Sequence, residues 1–103
     1  MVKHIVIWDF NEEYSAEEKI KYAKEIKDGL EGLVGIVPGL MDLKIYYGDD
    51  LIGKSCGEIV LYSTFDSKKS LEGYFPHSAH EKVGNEIVRP RIRNRRCADF
   101  EVC

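Results

Sequence analysis

The sequence has few cysteines and no long apolar run. Its three cysteines, Cys56, Cys97 and Cys103, are odd in number, widely spaced and form no Cys-x-x-Cys pair. This pattern favours reduced thiols over a disulfide framework or a zinc site. No apolar run approaches the roughly 20 residues that a membrane-spanning helix needs. The first residues lack the apolar core and the small-residue cleavage site of a signal peptide. We therefore expect a cytoplasmic protein with no membrane partner.

The composition also lacks a strong excess of either charge. A net charge of −3 gives no overall electrostatic reason for binding nucleic acid or an anionic membrane. Hydrophobic residues make up 44% of the chain and charged residues 32%, which is typical of a folded domain and not of a disordered chain. The length of 103 residues suits one hydrophobic core, so we expect a single domain over residues 1–103.

Alternating apolar residues predict four strands, at Val2–Phe10, Leu40–Tyr47, Glu58–Phe65 and Arg96–Val102. A first helix begins after the first strand at a capping box, in which Ser15 is the cap and Glu18 reaches back to it. Its apolar residues recur every three or four positions and form one stripe: Ile20, Ala23, Ile26, Leu30 and Leu33.

A second helical region follows the third strand. Asp66 or Ser67 can cap it. Its apolar side consists of Leu71, Tyr74 and Phe75. Pro76 ends this segment or starts a new one, because its ring blocks helical geometry in the residue before it. A further helical pattern runs from His80 to Arg89.

This order of elements predicts a ferredoxin-like β-α-β-β-α-β fold of the α+β class, with a four-stranded antiparallel sheet and helices on one face. The first strand has apolar residues on both sides, with Val2, His4, Val6, Trp8 and Phe10 on one face and Ile5 and Ile7 on the other. Since helices cover only one face, the other needs a second sheet. We expect a homodimer through this sheet face, which would form a dimeric α/β barrel.

Several short segments carry a resemblance that covers nearly the whole chain: the opening residues 2–6, the turn at residues 36–40, residues 63–67, Leu71 and Tyr74 followed by His80, and Asp99-Phe100. Together, in this order and spacing, they resemble the stress-responsive A/B barrel domain family, often called Dabb. The family consists of dimeric, ferredoxin-like α+β barrels and includes plant stress-induced proteins and a plant polyketide cyclase. The resemblance implies this fold and a pocket for a small hydrophobic or aromatic molecule.

In the cyclase-like members, a tyrosine and a histidine six residues apart form an acid/base pair. The resemblance places this pair at Tyr74 and His80, the final aspartate at Asp99 and a pocket histidine at His4. An aldol-type ring closure needs a base beside a carbonyl, which a histidine with a pKa of about 6.5 can supply. It also needs a donor to the enolate oxygen, which a tyrosine hydroxyl can supply. Asp99 would hold the histidine in one tautomer, and no cofactor is required.

Each of these residues also has a structural interpretation. Tyr74 lies at helical spacing from Leu71 and suits the core, and His80 can simply begin a helix. His4 can be a buried histidine with satisfied hydrogen bonds. Trp8, like the other aromatic residues, can line a ligand cavity or belong to the core. His77 is a further candidate for ligand binding. A metal at His77 and His80 lacks an evident third ligand, so we expect none.

Five arginines lie between Arg89 and Arg96. Such a run suits an anionic ligand or RNA. However, it follows a helix end, where cations interact favourably with the dipole, and the acidic first helix can pair with it. It also lacks the interleaved aromatic residues of single-strand binding surfaces. We expect an ion-paired or solvated face and no nucleic-acid partner.

Two other functions are compatible with the sequence. One is a non-catalytic, stress-associated structural dimer whose cavity is filled by its own side chains. The other is a haem- or quinone-type monooxygenase, which is suggested only because such enzymes share the fold.

Overall fold

The computed structural model describes residues 1–102. In chain order it contains β1 (Val2–Phe10), α1 (Ala16–Glu31), β2 (Leu40–Tyr47), β3 (Ile59–Phe65), α2 (Lys68–Tyr74), α3 (Ser78–Val83) and β4 (Ile92–Glu101). A π-helical turn, Gly84–Val88, and a 3-10 turn, Arg89–Arg91, connect α3 to β4. In these residues no helix is both long enough and apolar enough to cross a bilayer.

The strands form one antiparallel sheet in the order β2-β3-β1-β4. The predicted ferredoxin-like fold is therefore confirmed, with its second helical region divided into α2 and α3. In β1 the predicted alternation is also confirmed, since Val2, His4, Val6, Trp8 and Phe10 are buried and the residues between them are only partly covered. The buried set faces the helices, and Ile5 and Ile7 lie on the open face of the sheet.

The start of α1 follows the predicted capping box. The Ser15 hydroxyl accepts a hydrogen bond from the Glu18 backbone N–H at 3.2 Å, and the Glu18 carboxylate accepts one from the Ser15 N–H at 2.9 Å. The helix packs against the sheet through its buried residues Ala23, Ile26 and Leu30. The placement of Ile20 in this stripe was wrong, since 61% of the residue is exposed. It faces an open groove between α1 and the loop after β2, so no layer covers it.

Strand β4 begins at Ile92, four residues before the predicted start at Arg96, and ends at Glu101. The early part, rich in arginine and asparagine, has no alternating apolar pattern that would predict a strand. Pairing with β1 extends it nonetheless, through a register shift opposite residues 7–9. Asn94 takes a left-handed conformation there, with φ of 54°, as asparagine tolerates better than most residues.

The turn before β2 depends on Gly39, which has φ of +80°. A Cβ at this position would overlap the Ser70 side chain and lie 2.7 Å from the Asp66 carboxylate. The Gly39 carbonyl also accepts the Asp66 N–H at 3.0 Å. This glycine therefore lets the turn pack directly against the start of α2.

We predict that Gly39→Ala lowers the free energy of unfolding by more than Gly35→Ala, as measured by urea denaturation. Gly35 also has positive φ, at +90°, but nothing lies within 4 Å of the position that a Cβ would take there. Gly35→Ala should therefore show only the backbone strain, about 1–2 kcal/mol. Gly39→Ala adds steric overlap. Equal losses for the two variants would contradict the close packing of this turn.

Candidate functional site

A cavity of about 220 Å³ lies between the covered face of the sheet and the segment from α2 to β4. Its walls are mainly apolar and aromatic, with two histidines and two arginines among them: His4, Val6, Trp8, Leu30, Leu61, Tyr74, Phe75, His80, Gly84, Val88, Arg89, Ile92 and Arg95. Ligand sites are typically apolar clefts with a few polar groups, and this volume is slightly below their usual range of about 300–1,000 Å³. It suits a small ligand.

Tyr74 and His80 meet at this cavity because the chain breaks between α2 and α3. Tyr74 ends α2, Pro76 interrupts the helix, and His80 lies in the first turn of α3. The two ring centroids are 4.1 Å apart. Tyr74 is only 1% exposed. Burial raises the pKa of its hydroxyl, and the positive charge of Arg95 opposes that rise only in part. Tyr74 therefore stays protonated and can act as a hydrogen-bond donor.

Tyr74 lines the cavity, and its hydroxyl is free to interact there. It makes no hydrogen bond within residues 1–102, whereas every fully buried side-chain nitrogen or oxygen there has a partner. The hydroxyl is therefore not sealed inside the core, although most of the ring is. It can hydrogen bond to a molecule in the cavity.

His80 has a defined tautomer in this arrangement. Its Nδ1 lies 3.1 Å from the Phe75 carbonyl oxygen. Since a carbonyl only accepts, Nδ1 carries the proton and Nε2 carries the lone pair. Burial lowers the pKa of His80; the Phe75 hydrogen bond opposes this effect, and the charges of Arg89 and His4 reinforce it. A neutral imidazole with a free Nε2 is a suitable general base at neutral pH.

His4 and Asp99 are brought together by the register of the sheet, which pairs them directly across β1 and β4. The His4 Nδ1–H donates to the Asp99 carboxylate. Burial lowers the pKa of His4, and the hydrogen bond and charge of Asp99 oppose that effect. The expectation that Asp99 orients the proposed base His80 needs correction, because its hydrogen bond goes to His4. The reason is the strand register, since β4 is an edge strand that pairs with β1 and sets Asp99 directly opposite His4.

Cys97 completes a small polar cluster with these two residues. Its Sγ is 3.4 Å from the Asp99 carboxylate and 3.7 Å from His4 Nδ1. The three side chains could offer one ligand atom each to a metal ion. His4 Nδ1, however, is already engaged by Asp99, and burial raises the pKa of the Cys97 thiol. Because the thiol and Asp99 share the same imidazole nitrogen, the cluster also lacks the relay geometry of a nucleophilic triad.

The remaining sequence candidates differ in position. Trp8 is buried and lines the cavity. His77 lies outside the cavity lining, and its Nδ1 accepts the Ala79 N–H at 3.1 Å, which caps α3. Sequence reasoning missed Arg89 and Arg95 as cavity residues. The run of arginines was a visible signal, but only the bulge in β4 determines which of them face inward.

These features describe a ferredoxin-like α+β protein with a small, partly polar cavity under its helices. The profile of the stress-responsive A/B barrel domain family matches residues 2–102, and the chain belongs to this family.

Three solved structures illustrate the similarity. A dimeric protein of unknown function from Bacteroides fragilis NCTC 9343 is 26% identical, with a TM-score of 0.85 over 98% of this chain and 95% of that one. A Dabb family protein from Mesorhizobium loti MAFF303099 is 11% identical, with a TM-score of 0.77 over 99% and 96%. A hydroxynitrile lyase from Passiflora edulis is 19% identical, with a TM-score of 0.76 over 99% and 93%. At 11% and 19% identity, the latter two show similarity of fold alone. No curated protein sequence matches the chain.

We predict that Asp99→Asn lowers the pKa of His4 further and leaves that of His80 nearly unchanged. The substitution removes the charge and the carboxylate acceptor that favour protonated His4. Imidazole NMR titrations of both proteins would measure the two values. An unchanged His4 pKa would show that the hydrogen bond does not exist in solution.

Both histidines should also make stability depend on pH in the same direction. Each folded-state pKa lies below the ordinary value of 6.5, so the unfolded chain binds more protons as the pH falls. As the pH falls from 6.5 towards the folded-state pKa values, the free energy of unfolding should therefore decrease. His80→Gln should show a smaller decrease over this interval in urea denaturation. An equally steep decrease in that variant would argue against a lowered His80 pKa.

Proposed function

We propose that this protein binds a small hydrophobic or aromatic carbonyl compound in the 220 Å³ cavity and catalyses proton transfer on it. The observation that carries the proposal is the pairing of Tyr74 and His80, whose rings are 4.1 Å apart on one cavity wall. One is a protonated donor and the other a neutral base. This is the acid/base pair that the resemblance to the cyclase-like members implies.

The proposed reaction is of the aldol type. His80 Nε2 removes a proton from the carbon next to a carbonyl, and the Tyr74 hydroxyl donates to the enolate oxygen that forms. The enolate carbon then attacks a second carbonyl carbon of the same molecule, forming a carbon–carbon bond. The new alkoxide takes the proton from the His80 imidazolium. No electrons are gained or lost overall, so the reaction requires no cofactor.

His4 and Asp99 have a supporting role in this proposal. Asp99 fixes the His4 tautomer, which leaves His4 Nε2 as an acceptor in the same cavity lining. The Passiflora edulis protein of the same fold is a hydroxynitrile lyase. Cleavage of a hydroxynitrile also begins with removal of a proton, in that case from a hydroxyl group. The open volume beside Tyr74 favours a binding or catalytic role over a structural dimer with a self-filled cavity.

Deuterium exchange into the methyl group of 4-hydroxyacetophenone tests the base directly, because it needs only proton removal beside a carbonyl. We predict that the wild type accelerates exchange in D₂O, as measured by NMR, and that His80→Ala loses about 10²–10⁴-fold of that acceleration. Tyr74→Phe should lose about 10-fold or more, since the hydrogen bond to the enolate is removed.

His77→Asn is the matched control, because asparagine also caps helices and this histidine lies outside the cavity. It should leave exchange unchanged. If the probe binds but neither the wild type nor any variant accelerates exchange, the cavity is a binding site only. If the probe does not bind to a folded wild type, the proposal fails.

We also propose that two copies pair through the open face of the sheet. The structure from Bacteroides fragilis, at 26% identity, is described as dimeric. The open face of this chain has an apolar centre, where Ile5 lies between Tyr62 and Ala98 and Ile7 lies beside Val60. Such a face is unusual on a protein that remains a monomer. A second sheet packed on it would bury these residues.

We predict that Ile5→Asp converts the dimer to a folded monomer, as measured by light scattering after size-exclusion chromatography. Burying a carboxylate against a second sheet is strongly unfavourable. Ile52→Asp is the matched control, since Ile52 is 90% exposed in a loop, and it should remain dimeric. A dimer that persists in Ile5→Asp would place the interface elsewhere.

A further inference from the structure

The arginine run divides into two groups by partner. Three of its members form ion pairs with acidic residues: Arg91 with Glu25, Arg93 with Glu12, and Arg96 with Asp9. These pairs agree with the expected ion-paired face. Arg89 and Arg95 have no carboxylate partner within residues 1–102, and Arg89 hydrogen bonds only to the neutral amide of Asn85. Both of these arginines line the cavity beside Tyr74 and His80.

The two arginines approach the cavity from different elements. Arg89 follows the π-helical turn, and its guanidinium lies over Gly84, 3.6 Å from where a Cβ would be. Arg95 comes from β4, just after the bulge at Asn94. Both residues are exposed, so they lie at the mouth of the cavity, where their donors can reach a ligand.

The lining of the cavity includes two cations, Arg89 and Arg95. No aspartate or glutamate from residues 1–102 lines it. Two carboxylates act on the lining from outside it. Asp99 accepts a hydrogen bond from His4 and borders a neighbouring groove, and the charge of Glu81 acts to raise the pKa of His80. Tyr74 stays protonated, as argued above. The apolar wall is therefore combined with a mouth whose two arginines form no ion pair with a carboxylate of residues 1–102.

We propose that the ligand of this cavity carries a carboxylate on a small apolar or aromatic body. The carboxylate is bound by Arg95, with the charge of Arg89 beside it, and the body lies against Trp8 and Leu61. A guanidinium has a planar fork of donors that matches a carboxylate in a two-point contact. This inference rests on the proposed function, since it uses the same cavity, but it concerns ligand charge and not proton transfer.

The test compares two ligands of nearly identical shape, 4-acetylbenzoate and its neutral amide 4-acetylbenzamide. Dissociation constants would be measured by NMR titration of the folded protein at neutral pH. The wild type should bind the carboxylate about 10–100-fold more tightly than the amide, as expected for a charge-assisted hydrogen bond. Arg95→Gln should remove most of this preference, and Arg95→Lys should keep part of it.

Arg96→Gln is the matched control, because it removes the same charge from the adjacent residue, whose side chain pairs with Asp9 on the open face. It should keep the preference for the carboxylate. Equal binding of the two ligands by the wild type would overturn the inference and leave the proposed cavity intact. Binding of neither ligand would overturn both. An equal loss in Arg95→Gln and Arg96→Gln would show a general charge effect and also overturn the inference.

Discussion

The register of β1 between β3 and β4 is the constraint on which the rest of the site depends. Because side chains alternate along a strand, a slip of one residue would move His4 to the open face and bring Ile5 under the helices. The same register places His4 opposite Asp99 and opposite Ser63, whose hydroxyl donates to the His4 carbonyl at 2.8 Å. The apolar residues of β1 therefore do more than form the core. Their burial also determines on which face of the sheet the polar side chain of His4 lies.

Burial also determines the protonation states in the cavity. It lowers the pKa values of both histidines and raises that of Tyr74, so that each group is kept in its neutral form. Burying a neutral group costs less free energy than burying a charged one. The same physical effect that makes the fold tolerate three titratable side chains thus prepares a base and a donor side by side. Arg89 and Arg95 differ from these groups because both residues are exposed.

Much of the fold could be predicted from local patterns. The capping box at Ser15 and the alternation of β1 depend on neighbouring residues only, and both were confirmed. Ile20 was misplaced because helical spacing does not tell how far the sheet extends beneath a helix. The early start of β4 could not be predicted, since pairing with β1 and not its own residues makes that segment extended. The bulge at Asn94 also depends on this pairing, so the sequence alone could not show which arginines face the cavity.

Strand β4 links the cavity to the open face. Its side chains alternate between the two faces of the sheet. Cys97 and Asp99 lie on the face of His4, and Ala98 and Phe100 lie on the open face. Most of the strand is exposed in one protomer. An edge strand with so little burial is held mainly by its hydrogen bonds to β1. In the proposed dimer, the second sheet would cover Ala98 and Phe100 and so stabilise the strand from outside. Asp99 and Arg95 would be ordered by the same contact. Pairing of two copies and the polar geometry of each cavity would then be coupled through a single strand.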